Sequence, residues 1–340
     1  MQLRTLGTTG IKVSPLALGA MNFGAWGNPD HEDSTRIIHR ALEAGINLID
    51  TADIYSFGES EEIIGKAIAG RRDDVVLATK FANPLRQAPN QGGTSRRYIK
   101  QAVEDSLRRL GTDRIDLYQV HRPDYSTGLD DTLSALSDLV RDGKVLAVGS
   151  STFPASLVVE AQWVAEKRGH HRFTTEQSPY SLLSRGIETE LLPATQQYGM
   201  GVLVWSPLAN GWLSGKYRKG VAKPEQNRAL DPSLYDLSTP INQRKLEAAD
   251  ALGALADEVG VSLVHLALAF VIRHPGVTSA LVGPRTMQHL ETQLGAADYV
   301  IPDDVLDRID EIVAPGTTIN TAEDYAAPHP RFADKAQRRR

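Results

Sequence analysis

Four ionisable side chains stand at or just after the ends of short apolar runs, and together they could move a proton. Ile46, Leu48 and Ile49 read as a buried strand that stops at Asp50. Tyr55 follows five residues later, just before Gly58-Glu59-Ser60-Glu61 opens a helix. The run Val75 to Thr79 ends at Lys80, and Ile115 to Val120 ends at His121. A phenol ionises at about pH 10 and is a poor proton donor unless perturbed. A nearby ammonium favours the phenolate and lowers that value. Asp50 would offset the cost of burying the ammonium, and His121 is left to hydrogen-bond and orient a carbonyl oxygen. The chemistry this permits is protonation of an alkoxide as hydride reaches its carbon. One lysine or histidine at a strand end is usually structural. Four such groups at one rim are harder to dismiss.

These residues converge only if their strands run parallel around a common axis. Strand candidates are Leu16–Gly19, Asn47–Asp50, Val75–Lys80, Ile115–His121, Val145–Ser150, Thr174–Gln177, Val202–Trp205 and Ser279–Val282. Helical patterns separate them. Ile99, Val103, Leu107 and Leu110 share one face, with Arg96, Lys100 and Arg108 elsewhere. Another helix buries Ile37, Ile38, Ala41 and Leu42 and ends at Gly45. Eight strands alternating with helices predict a single (β/α)₈ barrel, whose strand C-termini form the reactive rim. A doubly wound sheet would carry a G-x-G-x-x-G turn, which is absent.

Residues 1–316 are assigned to the barrel and 317–340 to an irregular C-terminal tail. Residues 2–14 should form a hairpin turning at Gly7-Thr8-Thr9-Gly10. Residues 215–241, with Gly220, Pro224, Asp231, Pro232 and Pro240, read as a long loop after the seventh strand, of the kind that serves as a lid. Arg338-Arg339-Arg340 read as a solvated end.

The totals narrow the function classes. The chain has 340 residues, 41% hydrophobic and 23% charged, as in an ordinary globular protein. A net charge of −5 and a pI near 6.0 give no electrostatic case for nucleic acid or anionic membrane as a partner. There is no cysteine, so disulfides, thiolate nucleophiles and cysteine-ligated metals are excluded. No leader-like or membrane-spanning apolar stretch is present, and a reducing cytoplasm suits the composition. No oligomeric state follows from the sequence.

With Asp50, Tyr55, Lys80 and His121 in place, and with Gly58–Glu61 and Trp205-Ser206-Pro207-Leu208 beside them, the chain resembles the aldo-keto reductases. It is most similar to their bacterial and potassium-channel β-subunit-like branch, and the resemblance runs from Arg4 to about Leu294. It implies a (β/α)₈ enzyme that reduces aldehydes or ketones with NADPH. Asp50 would be counter-ion to the lysine, Tyr55 the general acid, Lys80 its pKa-lowering partner and His121 the substrate orienter.

The same resemblance implies cofactor contacts. Trp205 would lie against the nicotinamide, and Ser151, Thr152 and Gln177 would hold its carboxamide, with Thr152 standing where the family usually has Asn. Gly19, Met21 and Asp50 complete that end. The run Ser206, Pro207, Leu208, Asn210, Gly211, Ser214 and Lys216 would wrap the pyrophosphate, although its glycine spacing and Tyr217 depart from a P-loop. Gly283-Pro284-Arg285-Thr286 opens a helix after strand eight, a ready anion site. There Arg285 would clamp an adenosine 2′-phosphate, favouring NADP(H), with His289 and Gln293 near the adenosine. Substrate contacts are expected from Met21, Trp26, Phe57, Phe81, Arg122 and the 215–241 loop. Two other readings compete. Lys80 could form a Schiff base, as in an aldolase, which requires it to be unpaired and depressed in pKa. Alternatively the barrel could be a cofactor-holding redox sensor or regulatory subunit, against which His121 argues, because the matching position in channel β-subunits is commonly Asn.

Overall fold

A computed structural model describes residues 1–86, 88–221, 232–324 and 336. The chain opens with a hairpin, β1 (Arg4–Thr5) against β2 (Lys12–Val13), antiparallel as the Gly7–Gly10 turn requires. Eight parallel strands follow: β3 (Leu16–Gly19), β4 (Leu48–Asp50), β5 (Val76–Phe81), β6 (Ile115–Val120), β7 (Val145–Ser151), β8 (Thr175–Pro179), β9 (Gly201–Trp205) and β10 (Ser279–Val282). Each pairs with the next, and β10 returns to β3, closing the barrel. The (β/α)₈ architecture expected from the alternation is the one found.

Ten α-helices occur among the described residues. They are α1 (His31–Glu43), α2 (Glu59–Ala67), α3 (Arg96–Leu110), α4 (Leu129–Arg141), α5 (Ala155–Arg168), α6 (Leu191–Gln197), α7 (Pro240–Glu258), α8 (Leu263–Arg273), α9 (Met287–Leu294) and α10 (Asp303–Ile312). Their ends follow local chemistry. Asp30 caps α1 by accepting from the Glu32 and Asp33 amides, and Gly45 leaves that helix at φ +89°. Ser95 caps α3, which buries Ile99, Val103, Leu107 and Leu110 as its periodicity requires. Leu42 of α1 is only half-buried.

The expected 215–241 loop is shorter than its sequence suggests. Pro240 is the first residue of α7, and a 3₁₀ turn runs over Pro232–Tyr235. Pro224 and Asp231 lie outside the described residues, as do Arg338–Arg340. The described start of the C-terminal segment is tied to the barrel: Ile319 donates to the Leu183 carbonyl, and the buried Lys245 of α7 pairs with Glu323. Among the described residues no single helix is long and apolar enough to cross a membrane, and no group of three or more His, Asp or Glu could hold a metal ion.

Candidate active site

Along a strand every second side chain faces the same way, and that period sorts the barrel interior into layers. Ala17, Leu48, Ala78, Leu117, Ala147, Leu203 and Leu281 form an apolar cluster with Leu6 and Val13 of the hairpin, which plugs the bottom. Two residues further along each strand, the same face carries Gly19, Asp50, Lys80, Gln119, Gly149, Trp205 and Gly283, with Gln177 of β8 beside them. Chemistry therefore sits above an apolar floor, at the C-terminal rim. A cleft of about 570 Å³ opens there.

Lys80 is fully buried, and its ammonium joins three oxygens: Asp50 Oδ1 at 2.5 Å, the Thr51 carbonyl at 2.8 Å and the Tyr55 hydroxyl at 3.2 Å. The other Asp50 oxygen accepts from Gln119 at 3.0 Å and Gln177 at 2.9 Å. Burial alone pushes the Lys80 ammonium down, but Asp50 and Tyr55 outweigh it and the group is raised. A Schiff-base lysine needs the opposite. Tyr55 and His121 both face the cleft, their rings edge-on with centroids 5.7 Å apart. Burial first, then Lys80 and Arg122, hold the imidazole well below its ordinary value, so the ring is neutral.

One expectation needs correcting. Lys80 does pull the Tyr55 hydroxyl down, but burial pushes it up more strongly, and the net shift is upward. The ammonium is already engaged by Asp50, so it returns less to a buried phenolate than the lost water takes away. Tyr55 is accordingly a neutral O–H donor.

The loop carrying Tyr55 is tightly folded. Ser56, Phe57 and Gly58 all have positive φ, at 47°, 57° and 99°. A Cβ at Gly58 would meet Arg109 Cδ at 2.7 Å, so only glycine fits there. Ser56 Oγ donates to the Phe23 carbonyl at 3.0 Å and accepts from the Trp26 amide at 3.1 Å, joining this loop to the turn after β3. Glu59 adds a second tie, accepting from the Ala25 amide at 2.8 Å and meeting His31 Nε2 at 2.6 Å.

Every residue expected on the cofactor side lines the cleft: Gly19, Met21, Asp50, Ser151, Thr152, Gln177, Trp205, Ser206, Pro207, Leu208, Asn210, Gly211, Ser214, Lys216, Gly283, Arg285, His289 and Gln293. Thr152 sits at φ +58°, and Ser151 Oγ donates to the Gln177 carbonyl at 2.9 Å. Ser206, Ala209, Asn210 and Gly211 all have positive φ, which folds the segment after β9 into successive tight turns. The Asn210 amide donates to Ser206 Oγ at 3.0 Å. His289 is pushed down by burial, then by Lys216 and Arg285, so three basic residues share one corner. Gln293 Oε1 is buried with no hydrogen-bond partner among the described residues.

The substrate expectations fare unevenly. Met21 and Arg122 line the cleft, and the Arg122 guanidinium lies 5.9 Å from the Trp205 ring. Trp26 and Phe57 stand at the rim, with Trp26 6.1 Å from the Tyr55 ring and Phe57 68% exposed. Phe81 is not a substrate contact. One residue past inward-facing Lys80, it points outward and stacks on Tyr118 at 4.7 Å in the core. Of the expected 215–241 loop, Lys216, Tyr217 and Tyr235 reach the cleft.

Sequence reasoning missed Asn22, which lines the cleft and donates to the Gly283 carbonyl at 2.7 Å. It also missed Asn83, beside His121; Tyr235, within the expected 215–241 loop, donates its hydroxyl to the Asn210 carbonyl at 2.8 Å. Asn22 and Asn83 each lie within three residues of a strand end, the one signal that could have raised them. Behind Tyr55 lies a further buried cluster. Glu61 accepts from Thr79 at 2.6 Å and Arg109 at 2.7 Å, and Asp53 lies buried beside this pair.

The site invites comparison with known proteins. The family model of the Aldo/keto reductase family matches residues 15–314. An uncharacterized oxidoreductase, YrpG of Bacillus subtilis, is 39% identical over 338 residues, covering 96% of this chain and 100% of that one. The aldo-keto reductase YhdN of the same organism is 36% identical over 297 residues, covering 86% and 87%. A probable voltage-gated potassium channel subunit beta of Arabidopsis thaliana is 34% identical over 325 residues, covering 92% and 97%.

Proposed function

Because this chain belongs to the aldo/keto reductase family, and so to the oxidoreductases, we propose that it reduces an aldehyde or ketone to the alcohol with NADPH, using Tyr55 as general acid. The cofactor, when bound, supplies the hydride from nicotinamide C4. Tyr55 and His121 take the carbonyl oxygen between them. As negative charge builds on that oxygen, the Tyr55 hydroxyl gives up its proton, and Lys80 at 3.2 Å steadies the phenolate left behind. Asp50 keeps Lys80 cationic throughout.

The cleft suits a dinucleotide phosphate. Gln177 has committed its amide nitrogen to Asp50 and Gln119, which leaves its carbonyl oxygen to meet the NH₂ of a carboxamide. Ser151, with its proton given to a backbone carbonyl, can accept as well. Trp205 offers a stacking face, and the turns from Ser206 to Gly211, with Ser214 and Lys216, fit a pyrophosphate. Arg285 suits a 2′-phosphate, and the Gln293 oxygen, without a hydrogen-bond partner among the described residues, suits an adenine amino group, with His289 beside it.

The observation that carries this reading is the Lys80 ammonium set between Asp50 and the Tyr55 hydroxyl, a group raised in pKa and therefore unsuited to Schiff-base chemistry. A cofactor-holding regulatory role is the second reading, favoured by the identity with plant proteins named as potassium channel subunits. NADPH oxidation against a panel of aldehydes, ketones, quinones and sugar phosphates separates the two. Turnover is expected, and Tyr55→Phe should lower kcat by at least about 10²-fold. Near-normal turnover by that variant would remove Tyr55 from its role, and tight NADPH binding without turnover on any substrate would favour regulation.

A further inference from the structure

Glu176 is a fully buried carboxyl that none of the proposed steps uses. It lies on β8 next to Gln177, on the outer face of the strand, among side chains that are otherwise apolar or neutral. Helices α5 and α6, which follow β7 and β8, bury Val158, Ala161, Gln162, Ala165, Leu191, Leu192 and Thr195. None of these titrates. A carboxylate in such a layer is costly unless donors surround it.

Donors do surround it, and two of the three come from one corner of the cleft. Glu176 Oε2 accepts from Ser150 Oγ at 2.5 Å, and Oε1 accepts from the Phe153 amide at 3.1 Å and Ser178 Oγ at 3.0 Å. Ser150 and Phe153 immediately flank Ser151 and Thr152. Thr152 holds a left-handed backbone, which a β-branched residue adopts only when its surroundings enforce it. The two bonds from Glu176 hold both ends of that strained pair, and on the other side the Thr152 amide donates to the Gln177 carbonyl at 2.9 Å. Carboxylate, corner and Gln177 therefore form one unit.

We infer that Glu176 is a positioning residue for nicotinamide binding: its carboxylate, reaching from behind the sheet, fixes the Ser151–Thr152 corner, so cofactor affinity depends on its staying ionised. Burial raises the carboxyl to about 7, against the opposing pull of Ser150, Phe153, Ser178 and Thr152, and no charged side chain is among these influences. Protonation of Glu176 removes the charge that strengthens its bonds to Ser150, Ser178 and the Phe153 amide, and it turns one oxygen into a donor that the serine hydroxyls must rotate to accept. The corner loosens as pH falls through neutrality, and affinity for the nicotinamide falls with it.

The inference rests on the reading of the cleft as a nicotinamide site, and the test keeps the two apart. NADPH is titrated into the full-length protein and Glu176→Gln, following tryptophan quenching from pH 6 to pH 8.5. The 2′-phosphate of NADPH titrates identically in both, so the difference between the proteins isolates Glu176. At pH 8 the variant should bind about 10-fold more weakly, as loss of charge-assisted bonds predicts. Toward pH 6 the two should converge. Equal affinity at every pH would overturn the inference while leaving the cofactor reading intact, and no binding by either protein would overturn both. Should Glu176→Gln fail to fold, Ser178→Ala keeps the carboxylate and removes one donor, moving the pH midpoint for binding upward; an unmoved midpoint would equally refute the proposal.

Discussion

Asn83 gives an amide hydrogen to Nδ1 of His121 at 3.1 Å. In a neutral ring this places the remaining proton on Nε2, the nitrogen that can donate to a carbonyl oxygen. Asn83→Asp replaces the donor with an acceptor, which moves the ring proton to Nδ1 or makes the ring an imidazolium. Above about pH 7 the variant should lose about 10-fold in kcat/KM and recover it as pH falls and both nitrogens become protonated. The wild type, whose imidazole is held well below its ordinary value, should show no such limb. A kcat/KM profile against pH checks this, and parallel profiles would refute it.

Lys80 separates structure from catalysis in one double mutant. Lys80→Met leaves Asp50 buried without its cation and should cost about 3–5 kcal/mol in urea unfolding, with kcat down at least about 10²-fold. Adding Asp50→Asn removes the stranded charge, so much of the stability should return while turnover stays low. Activity returning together with stability would mean that Lys80 serves the fold alone.

Asp53 should behave as a buried acid kept protonated. Burial, then Glu61, push its carboxyl well above its ordinary value. An acid raised in the folded state favours folding fully below its unfolded pKa of about 3.9 and loses that contribution as pH rises toward the folded value. Asp53→Asn, always neutral, escapes the loss. The variant should match the wild type near pH 4 and exceed it by about 1–2 kcal/mol at pH 8. Denaturant titrations at both pH values decide, and a difference of the opposite sign would place a charged Asp53 in the fold.

Arg285 should set the preference between cofactors. Removing a guanidinium from the 2′-phosphate corner predicts NADPH binding weaker by about 10- to 100-fold in Arg285→Ala, as loss of a charge-assisted pair would cause. NADH, which lacks that phosphate, should change little. Equal losses for both would move Arg285 away from the 2′-phosphate.

Several strand ends were readable because the apolar run stops at a polar residue, as at Asp50, Lys80, His121 and Gln177, and the period of two then separates Lys80, facing in, from Phe81, facing out. Treating Phe81 as a substrate contact overlooked that period. Burial and counter-charge were not readable, since they depend on neighbours distant in sequence. Tyr55 lies within reach of Lys80 yet is raised, because burial outweighs the pull of the ammonium and Asp50 adds to the upward push. Asn22 and Asn83 are unremarkable in a string of letters; only folding reveals that one meets Gly283 and the other His121. The helix start at Pro240 was hidden by reading proline as a breaker, when it is also well suited to the first turn.

The two hydrogen bonds of Ser56, to Phe23 and to Trp26, have an evolutionary corollary. They couple the rim beside Trp26 to the loop that carries Tyr55, so inherited changes at that rim will disturb the placement of Tyr55 too. The same turn is also tied to the corner after β10, where Asn22 donates to the Gly283 carbonyl at 2.7 Å and Asn28 to the Arg285 carbonyl at 3.2 Å. Substitutions in lineages descended from this barrel that reshape the turn around Trp26 would therefore call for compensating changes both around residue 56 and beside Gly283 and Arg285.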